Sequence, residues 1–88
     1  MRKVSAVPRV KYYASLQRAA GTKEDEFEGG TVREVLGTVS RTYEGKLDRY
    51  LKISTVLVNG KNVIHLKGKR TRLQPDDVVS IFPPMGGG

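Results

Sequence analysis

In the segment "DDVVSIFPPMGGG" (76–88), a short strand pattern is followed directly by two prolines and, after one methionine, by three glycines. In "VVSIF" (78–82), Val79 and Ile81 alternate with Ser80 and Phe82. This period of two predicts a final strand with Val79 and Ile81 facing inward and Phe82 facing outward. The two prolines that follow lack amide protons and cannot extend a strand ladder. The pattern therefore predicts a last strand that releases the chain from the sheet.

Pro83 and Pro84 mark the predicted boundary between a folded domain (1–84) and a flexible C-terminal glycine tail (85–88). The chain has 88 residues, which is the size of one small domain with one modest core. We see no internal repeat and no linker before the tail.

Working back from this strand, the clearest element is "TVREVLGTVSRTY" (31–43). Thr31 is a suitable helix N-cap, and Glu34 three residues later completes a capping box. Apolar residues follow at helical spacing, and we interpret this stripe as core: Val32, Val35, Leu36, Val39 and Tyr43.

The remaining segments predict a mixed sheet packed on this one main helix, an α+β arrangement. Asn59-Gly60 is a strong hairpin signal between two strands. The other assignments are a strand in "RVKYYASL" (9–16), a helical turn in "SLQRAAG" (15–21), a weaker strand in "KEDEFEGG" (23–30), a turn in "LDRYL" (47–51), the hairpin "STVLVNGKNVIHL" (54–66) and a polar loop "GKRTRLQPDD" (68–77).

The composition excludes several kinds of site. The chain has no cysteine and one histidine, which excludes disulfides, thiolate metal sites and a histidine-rich metal cluster. We expect no metal site, and we expect His65 to be a surface residue. No apolar run approaches the length of a membrane span. We therefore expect a soluble, cytoplasmic protein.

The positive charge is concentrated in the second half of the chain. The net charge is +7, and residues 46–72 hold eight basic residues against the single acid Asp48. This asymmetry indicates an acidic partner, either a protein surface or a nucleic acid. A basic nucleic-acid-binding module is therefore an alternative, but "HLKGKRTRL" (65–73) has no aromatic residue for base stacking. A solvated basic loop is the preferred interpretation.

Two stretches, "YYASLQRAAGT" (12–22) and "DDVVSIFPPMGGG" (76–88), resemble the MoaD/ThiS family of ubiquitin-like sulfur carriers. The resemblance spans residues 9–88 and is most specific in the final strand-Pro-Pro-x-x-Gly-Gly. The aromatic-Ala-x-Leu pattern at 13–16 favours the small subunit of molybdopterin synthase (MoaD-like). The resemblance implies the β-grasp fold.

The resemblance also implies a function for the tail. In the family, the carboxylate of a residue like Gly88 is adenylated with ATP by an E1-like enzyme (MoeB/ThiF type) and converted to a thiocarboxylate. The sulfur is then delivered within the large subunit of molybdopterin synthase (MoaE type), for molybdenum cofactor biosynthesis. The chain itself is expected to bind no cofactor and to be non-catalytic alone. By resemblance, Phe82, Tyr13 and Met85 are expected to contact the partner.

The residues of the tail suit insertion into a narrow channel. Gly86 and Gly87, like Gly88, have no Cβ and adopt backbone angles closed to other residues. Pro83 and Pro84 stiffen the exit from the sheet and reduce the entropy lost on insertion. A lysine amine is an alternative acceptor of the activated carboxylate, which would make the chain a ubiquitin-like modifier of target-protein lysines. The sequence does not separate sulfur transfer from conjugation.

Overall fold

The computed structural model describes residues 7–84. Five strands, three α-helices and two 3₁₀ turns follow one another along this part of the chain. They are β1 (Arg9–Tyr12), α1 (Ala14–Ala20), β2 (Glu24–Glu26), α2 (Val32–Thr42), α3 (Asp48–Ile53), β3 (Thr55–Val58), β4 (Lys61–Asn62), the 3₁₀ turns Val63–His65 and Gly68–Arg70, and β5 (Val78–Phe82).

The strands form one mixed sheet with β5 at its centre. The spatial order is β2-β1-β5-β3-β4. Strand β5 runs parallel to β1 and antiparallel to β3, while the outer pairs are antiparallel. This arrangement is the mixed sheet of the expected β-grasp. Strand β5 is paired along its length with β1 on one side and with β3 on the other.

One face of the sheet packs on α2 and forms the core. Val79 and Ile81 are fully buried, as the alternation in β5 predicts. Val10 and Tyr12, which pair with them in register, are buried on the same face. The helix contributes its apolar stripe from the other side: Val32, Val35, Leu36 and Val39 are buried, and Tyr43 packs against the core at the edge.

The predicted N-terminus of α2 is confirmed. The Thr31 hydroxyl oxygen accepts the Glu34 amide proton at 3.2 Å. The Glu34 carboxylate accepts the Gly30 amide proton at 2.7 Å, one residue before the position that a standard capping box uses. Two of the amide protons near the helix start are therefore satisfied by side chains, which fixes where the helix begins.

The predicted first strand (9–16) is too long. Strand β1 ends at Tyr12, and α1 begins at Ala14. The residues from 14 to 20 are mostly strong helix formers, and the Tyr13 carbonyl already accepts the amide protons of Leu16 and Gln17. The apolar alternation of the strand therefore stops where helix formation begins. The predicted helical turn ending at Gly21 is confirmed, and Gly21 has the left-handed φ of 77°.

The second strand of the predicted hairpin is shorter than expected. The Asn59-Gly60 turn is present, with φ of 51° and 85° as a type I′ turn requires. Strand β4 ends at Asn62 because the Asn62 side chain accepts the Ile64 amide proton at 3.0 Å and begins a 3₁₀ turn. The next residue, Val63, is thereby turned into the core.

The segment predicted as a polar loop (68–77) also contributes to the core. Thr71 and Leu73 are buried, and the Leu73 amide donates to the Gly30 carbonyl at 2.9 Å. This segment therefore ties the sheet to the start of α2. No helix within residues 7–84 is long and apolar enough to cross a membrane.

Candidate functional site

The chain leaves the sheet at the end of its central strand. Phe82, the last residue of β5, pairs with Thr55 of β3. Pro83 is buried and Pro84 is exposed. Because neither proline can donate to a ladder, β5 cannot continue past Phe82 even though it has a neighbour on each side. The predicted release of the chain at this point agrees with the structure of residues 78–84.

Two aromatic rings lie side by side at this exit. The rings of Tyr13 and Phe82 are stacked, with their centroids 4.2 Å apart and their planes at 13°. Both side chains are half-buried. The sequence predicted two outward aromatics on two strands, but Tyr13 is the N-cap residue of α1 and not part of β1. The pair therefore forms one continuous surface instead of two separate contacts.

A local backbone feature places Tyr13 beside Phe82. The Tyr13 amide donates to the Ile81 carbonyl at 3.3 Å, so the residue stays attached to β5 after β1 ends. The next residue, Ala14, has a φ of 53°, which is uncommon for a residue with a side chain. This change of direction starts α1 directly after the aromatic pair.

The outer face of the sheet continues this surface. Leu57 and Lys11 flank Ser80 in register on the neighbouring strands, and all three are half-buried. They lie on the face opposite the core, because residues alternate between faces along each strand. The outer face beside the aromatic pair thus carries one aliphatic and one cationic side chain next to Ser80. We call the surface formed by Tyr13, Phe82 and Leu57 the exit surface.

The predicted tail residues Met85, Gly86, Gly87 and Gly88 lie outside the described residues. Their predicted roles, and the division between 1–84 and 85–88, stay predictions. Pro83 and Pro84 are described, but their effect on insertion of the tail is a prediction as well.

A polar cluster that the sequence did not reveal joins β2 to the core. The hydroxyls of Tyr12 and Tyr43 both donate to the same carboxylate oxygen of Asp25, at 2.9 and 2.6 Å. The two rings meet edge to face, with centroids 6.2 Å apart. The strand register explains the position of Asp25. It pairs with the inward-facing Val10, so its side chain points to the core, whereas the glutamates on either side of it point outward.

This cluster holds both tyrosines in the neutral form. Burial, followed by the hydrogen bond to Asp25, raises the pKa of Tyr43 to about 12. The same causes raise the pKa of Tyr12 further above its ordinary value. Within residues 7–84 no group of three His, Asp or Glu side chains has the geometry of a metal site. We interpret the cluster as structural because its hydrogen bonds fasten the edge strand β2 to β1 and to the end of α2.

Four basic residues of the second half gather around the second 3₁₀ turn, beside the start of α2. Lys67, Lys69, Arg70 and Arg72 are exposed around the second 3₁₀ turn. Together with Arg33 of α2 they line an open groove of 870 Å³. No aromatic side chain lines this groove. His65 is exposed in the first 3₁₀ turn, as expected.

Comparison with known proteins identifies the family. The model of the ThiS family matches residues 10–88. Small archaeal modifier protein 3 of Haloferax volcanii is 32% identical over 88 residues, covering 90% of this chain and 96% of that protein. A protein of Archaeoglobus fulgidus named "Putative sulfur carrier protein" is 30% identical over 87 residues, covering 91% and 97%.

A solved structure shows the same fold. The solution structure of small archaeal modifier protein 1 from Methanosarcina acetivorans superimposes with a TM-score of 0.84 at 32% identity, covering 94% of this chain and 97% of that one. This likeness confirms the expected β-grasp. The chain therefore belongs to the ThiS family, the MoaD/ThiS group of ubiquitin-like proteins that contains sulfur carriers and small archaeal modifiers.

Proposed function

We propose that this protein is a sulfur carrier whose Gly88 carboxylate is activated and converted to a thiocarboxylate. One observation carries the proposal: β5 ends at Phe82 against two prolines, whereas the family match continues through residue 88. The family model therefore includes the segment 83–88, which follows strand β5. The similarity to the Archaeoglobus fulgidus protein supports carriage of sulfur as the purpose of this segment.

The proposed chemistry takes place in a partner E1-like adenylating enzyme of the MoeB/ThiF type. An oxygen of the Gly88 carboxylate attacks the α-phosphorus of ATP, which forms an acyl-adenylate and releases pyrophosphate. A sulfide-level donor then attacks the acyl carbon, AMP leaves with the bridging oxygen, and a thiocarboxylate remains. The chain has no cysteine, so it has no thiol that would compete for the activated acyl group.

In this proposal the protein contributes shape rather than catalytic groups. Gly86 and Gly87 let the tail pass a narrow channel without side-chain collisions. Phe82 and Tyr13, together with Met85, which follows Phe82 shortly in the sequence, form the docking surface that holds the partner while the tail reaches its active site. The stacked geometry of the two rings supports this role, since a preformed aromatic pair loses little entropy when a partner covers it.

The proposed destination of the sulfur is molybdopterin. The support is the aromatic-Ala-x-Leu motif at 13–16 and the terminal motif, which resemble the small subunit of molybdopterin synthase. In that role the protein completes the active site of a MoaE-type large subunit with its tail. It is then the sulfur-donating subunit of an enzyme complex.

Two assays test these steps separately. The first measures pyrophosphate release by a family adenylating enzyme in the presence of ATP and the protein ending at Gly88, with a variant lacking Gly88 as control. We expect release with the first protein and none with the second. The second assay adds sulfide, a MoaE-type subunit and the pterin precursor, and it measures molybdopterin. Pyrophosphate release without molybdopterin would retain activation of the Gly88 carboxylate and refute this destination.

A second candidate function is protein modification. It is favoured by the 32% identity to small archaeal modifier protein 3 across almost the whole of both chains. Here the amine of a target lysine attacks the acyl-adenylate, AMP leaves, and an isopeptide bond forms. Mass spectrometry of proteins co-purified with a tagged chain discriminates the two functions, because conjugation leaves the C-terminal peptide of this chain joined to target lysines and sulfur transfer does not.

A further inference from the structure

A second surface, whose lining does not include the aromatic pair at the chain exit, combines basic and apolar side chains. It is a furrow between α2, α3 and the two 3₁₀ turns. Lys69 lines three neighbouring cavities, which we treat together as one depression. Leu36, Leu51 and Val63 form its apolar floor, and Arg33, Lys52 and Lys69 form its basic rim. We call this depression the furrow.

The cations of the furrow outnumber its acids and form no ion pair within the part of the chain that the structure describes. The one ion pair within residues 7–84 joins Arg9 to Glu24, at 3.8 Å, on the opposite edge of the sheet. Two acids line the furrow, Glu34 and Asp48, and their carboxylates accept hydrogen bonds from the Gly30 amide and the Ser40 hydroxyl. Six basic side chains line it as well, so its lining keeps an excess of positive charge: Arg33, Lys52, Lys67, Lys69, Arg70 and Arg72. Unpaired like charges around one depression attract an anionic partner.

The apolar part of the furrow argues for a peptide rather than a nucleic acid. Ile64 lines it and is 73% exposed, the most exposed large hydrophobic residue of the described chain. Aliphatic side chains gain most from covering other aliphatic side chains, and phosphodiesters carry none. The furrow also lacks the aromatic rings on which unpaired bases stack.

The two segments outside the described residues, 1–6 and 85–88, do not have the composition that fits the furrow. The segment "MRKVSA" (1–6) carries two basic residues and no acid, so it has the same charge as the rim. The segment "MGGG" (85–88) has no acidic side chain. Neither Tyr13 nor Phe82 lines the furrow, so the furrow and the exit surface are formed by different residues.

We propose that the furrow binds an acidic peptide segment of a partner protein that also carries aliphatic side chains. Carboxylates of the segment pair with Arg33 and Lys69 on the rim. Its aliphatic side chains cover Leu51 and Ile64 on the floor and edge. The protein thereby has a docking surface that does not depend on activation of its tail.

The test is a titration of the isotope-labelled full-length chain followed by amide chemical shifts. The probe is a synthetic peptide in which glutamates alternate with leucines. A polyglutamate peptide of equal length and a single-stranded oligouridylate are titrated in parallel. We expect the mixed peptide to shift the amides of Leu51, Ile64 and Lys69, and to bind more tightly than polyglutamate.

Two matched double variants distinguish binding of the peptide in the furrow from its general attraction to a positively charged protein. The double variant Arg33→Glu with Lys69→Glu is expected to lower the affinity for the mixed peptide roughly tenfold, because it removes two charge pairs between the rim and the peptide. The control, Arg18→Glu with Lys23→Glu, makes the same change of net charge at exposed positions outside the furrow. It is expected to retain affinity. Ile64→Ser is expected to reduce binding of the mixed peptide to the level of polyglutamate.

Three results would overturn the proposal. The first is the absence of localised shifts with the mixed peptide at millimolar concentration. The second is equal weakening by both double variants, which would indicate net charge alone. The third is tighter binding of the oligouridylate with shifts at the same residues, which would assign the furrow to nucleic acid.

Discussion

Gly29 lies where β2 leads into α2, and the core allows no side chain there. A Cβ added at Gly29 would lie 2.6 Å from Val35 Cγ2 and 3.1 Å from the Val35 amide nitrogen. Real Cβ atoms rarely approach a neighbour closer than 3.0 Å. Val35 is fully buried, and its branched side chain has one strongly preferred rotamer in a helix. The Gly29→Ala variant must therefore displace the connection between β2 and α2.

The neighbouring glycine provides a matched control. A Cβ at Gly30 would meet the Glu34 carboxylate at 3.5 Å, an ordinary contact. Both substitutions restrict the unfolded chain equally, which by itself stabilises by about 0.4–1 kcal/mol. Overpacking at Gly29 costs about 1–3 kcal/mol. We expect Gly29→Ala to lower the free energy of unfolding and Gly30→Ala to leave it unchanged or raise it slightly.

Urea unfolding followed by far-ultraviolet circular dichroism measures the difference. The two variants and the parent chain are compared by midpoint, provided that the slopes agree, because equal slopes indicate equal exposure of surface on unfolding. A Gly29→Ala variant as stable as Gly30→Ala would refute the close approach of this connection to α2. It would also remove the physical reason for glycine at the position.

Three further predictions concern the site and the helices. A double-mutant cycle of Tyr13→Ala and Phe82→Ala in urea unfolding should give a coupling energy of about 0.5–1.5 kcal/mol; additive effects would contradict the stacking. Burial and the Asp25 carboxylate raise the pKa of Tyr43 to about 12. The contribution of Tyr43 to the free energy of unfolding is therefore fully present below the ordinary tyrosine pKa of about 10, and it is lost as the pH rises toward 12. Urea midpoints that stay constant across that interval would contradict it. Gly37→Ala should stabilise α2 by about 1 kcal/mol, whereas Gly21→Ala, at a left-handed position, should destabilise by about 1 kcal/mol; thermal unfolding with the opposite order would refute both assignments.

The sequence predicted the parts of the fold that depend on local patterns. The capped helix beginning after Thr31, the Asn59-Gly60 turn and the strand from 78 to 82 each follow from a short motif with a known physical cause. Burial of Val79 and Ile81 followed from alternation alone. These features agree with the structure because sequence neighbours determine them.

The errors arose where a contact between distant residues, or a competing local bond, overrode the pattern. Strand β1 ends at Tyr12 because helix formation begins at once, although the alternation of side chains continues to Ala14. Leu73 is buried because its amide bonds to the distant Gly30, which no pattern near residue 73 reveals. The stacking of Tyr13 on Phe82 depends on the parallel pairing of the first and last strands. The sequence predicted both residues as outward but not that they touch.

The most direct test of the central claim is the intact mass of the protein after incubation with ATP, a family adenylating enzyme and a sulfide source. The account predicts a mass increase equal to the exchange of one oxygen for sulfur, and no increase in a variant that lacks Gly88. An unchanged mass, with the enzyme shown to be active on another carrier, would contradict the proposal that the Gly88 carboxylate of this chain carries sulfur.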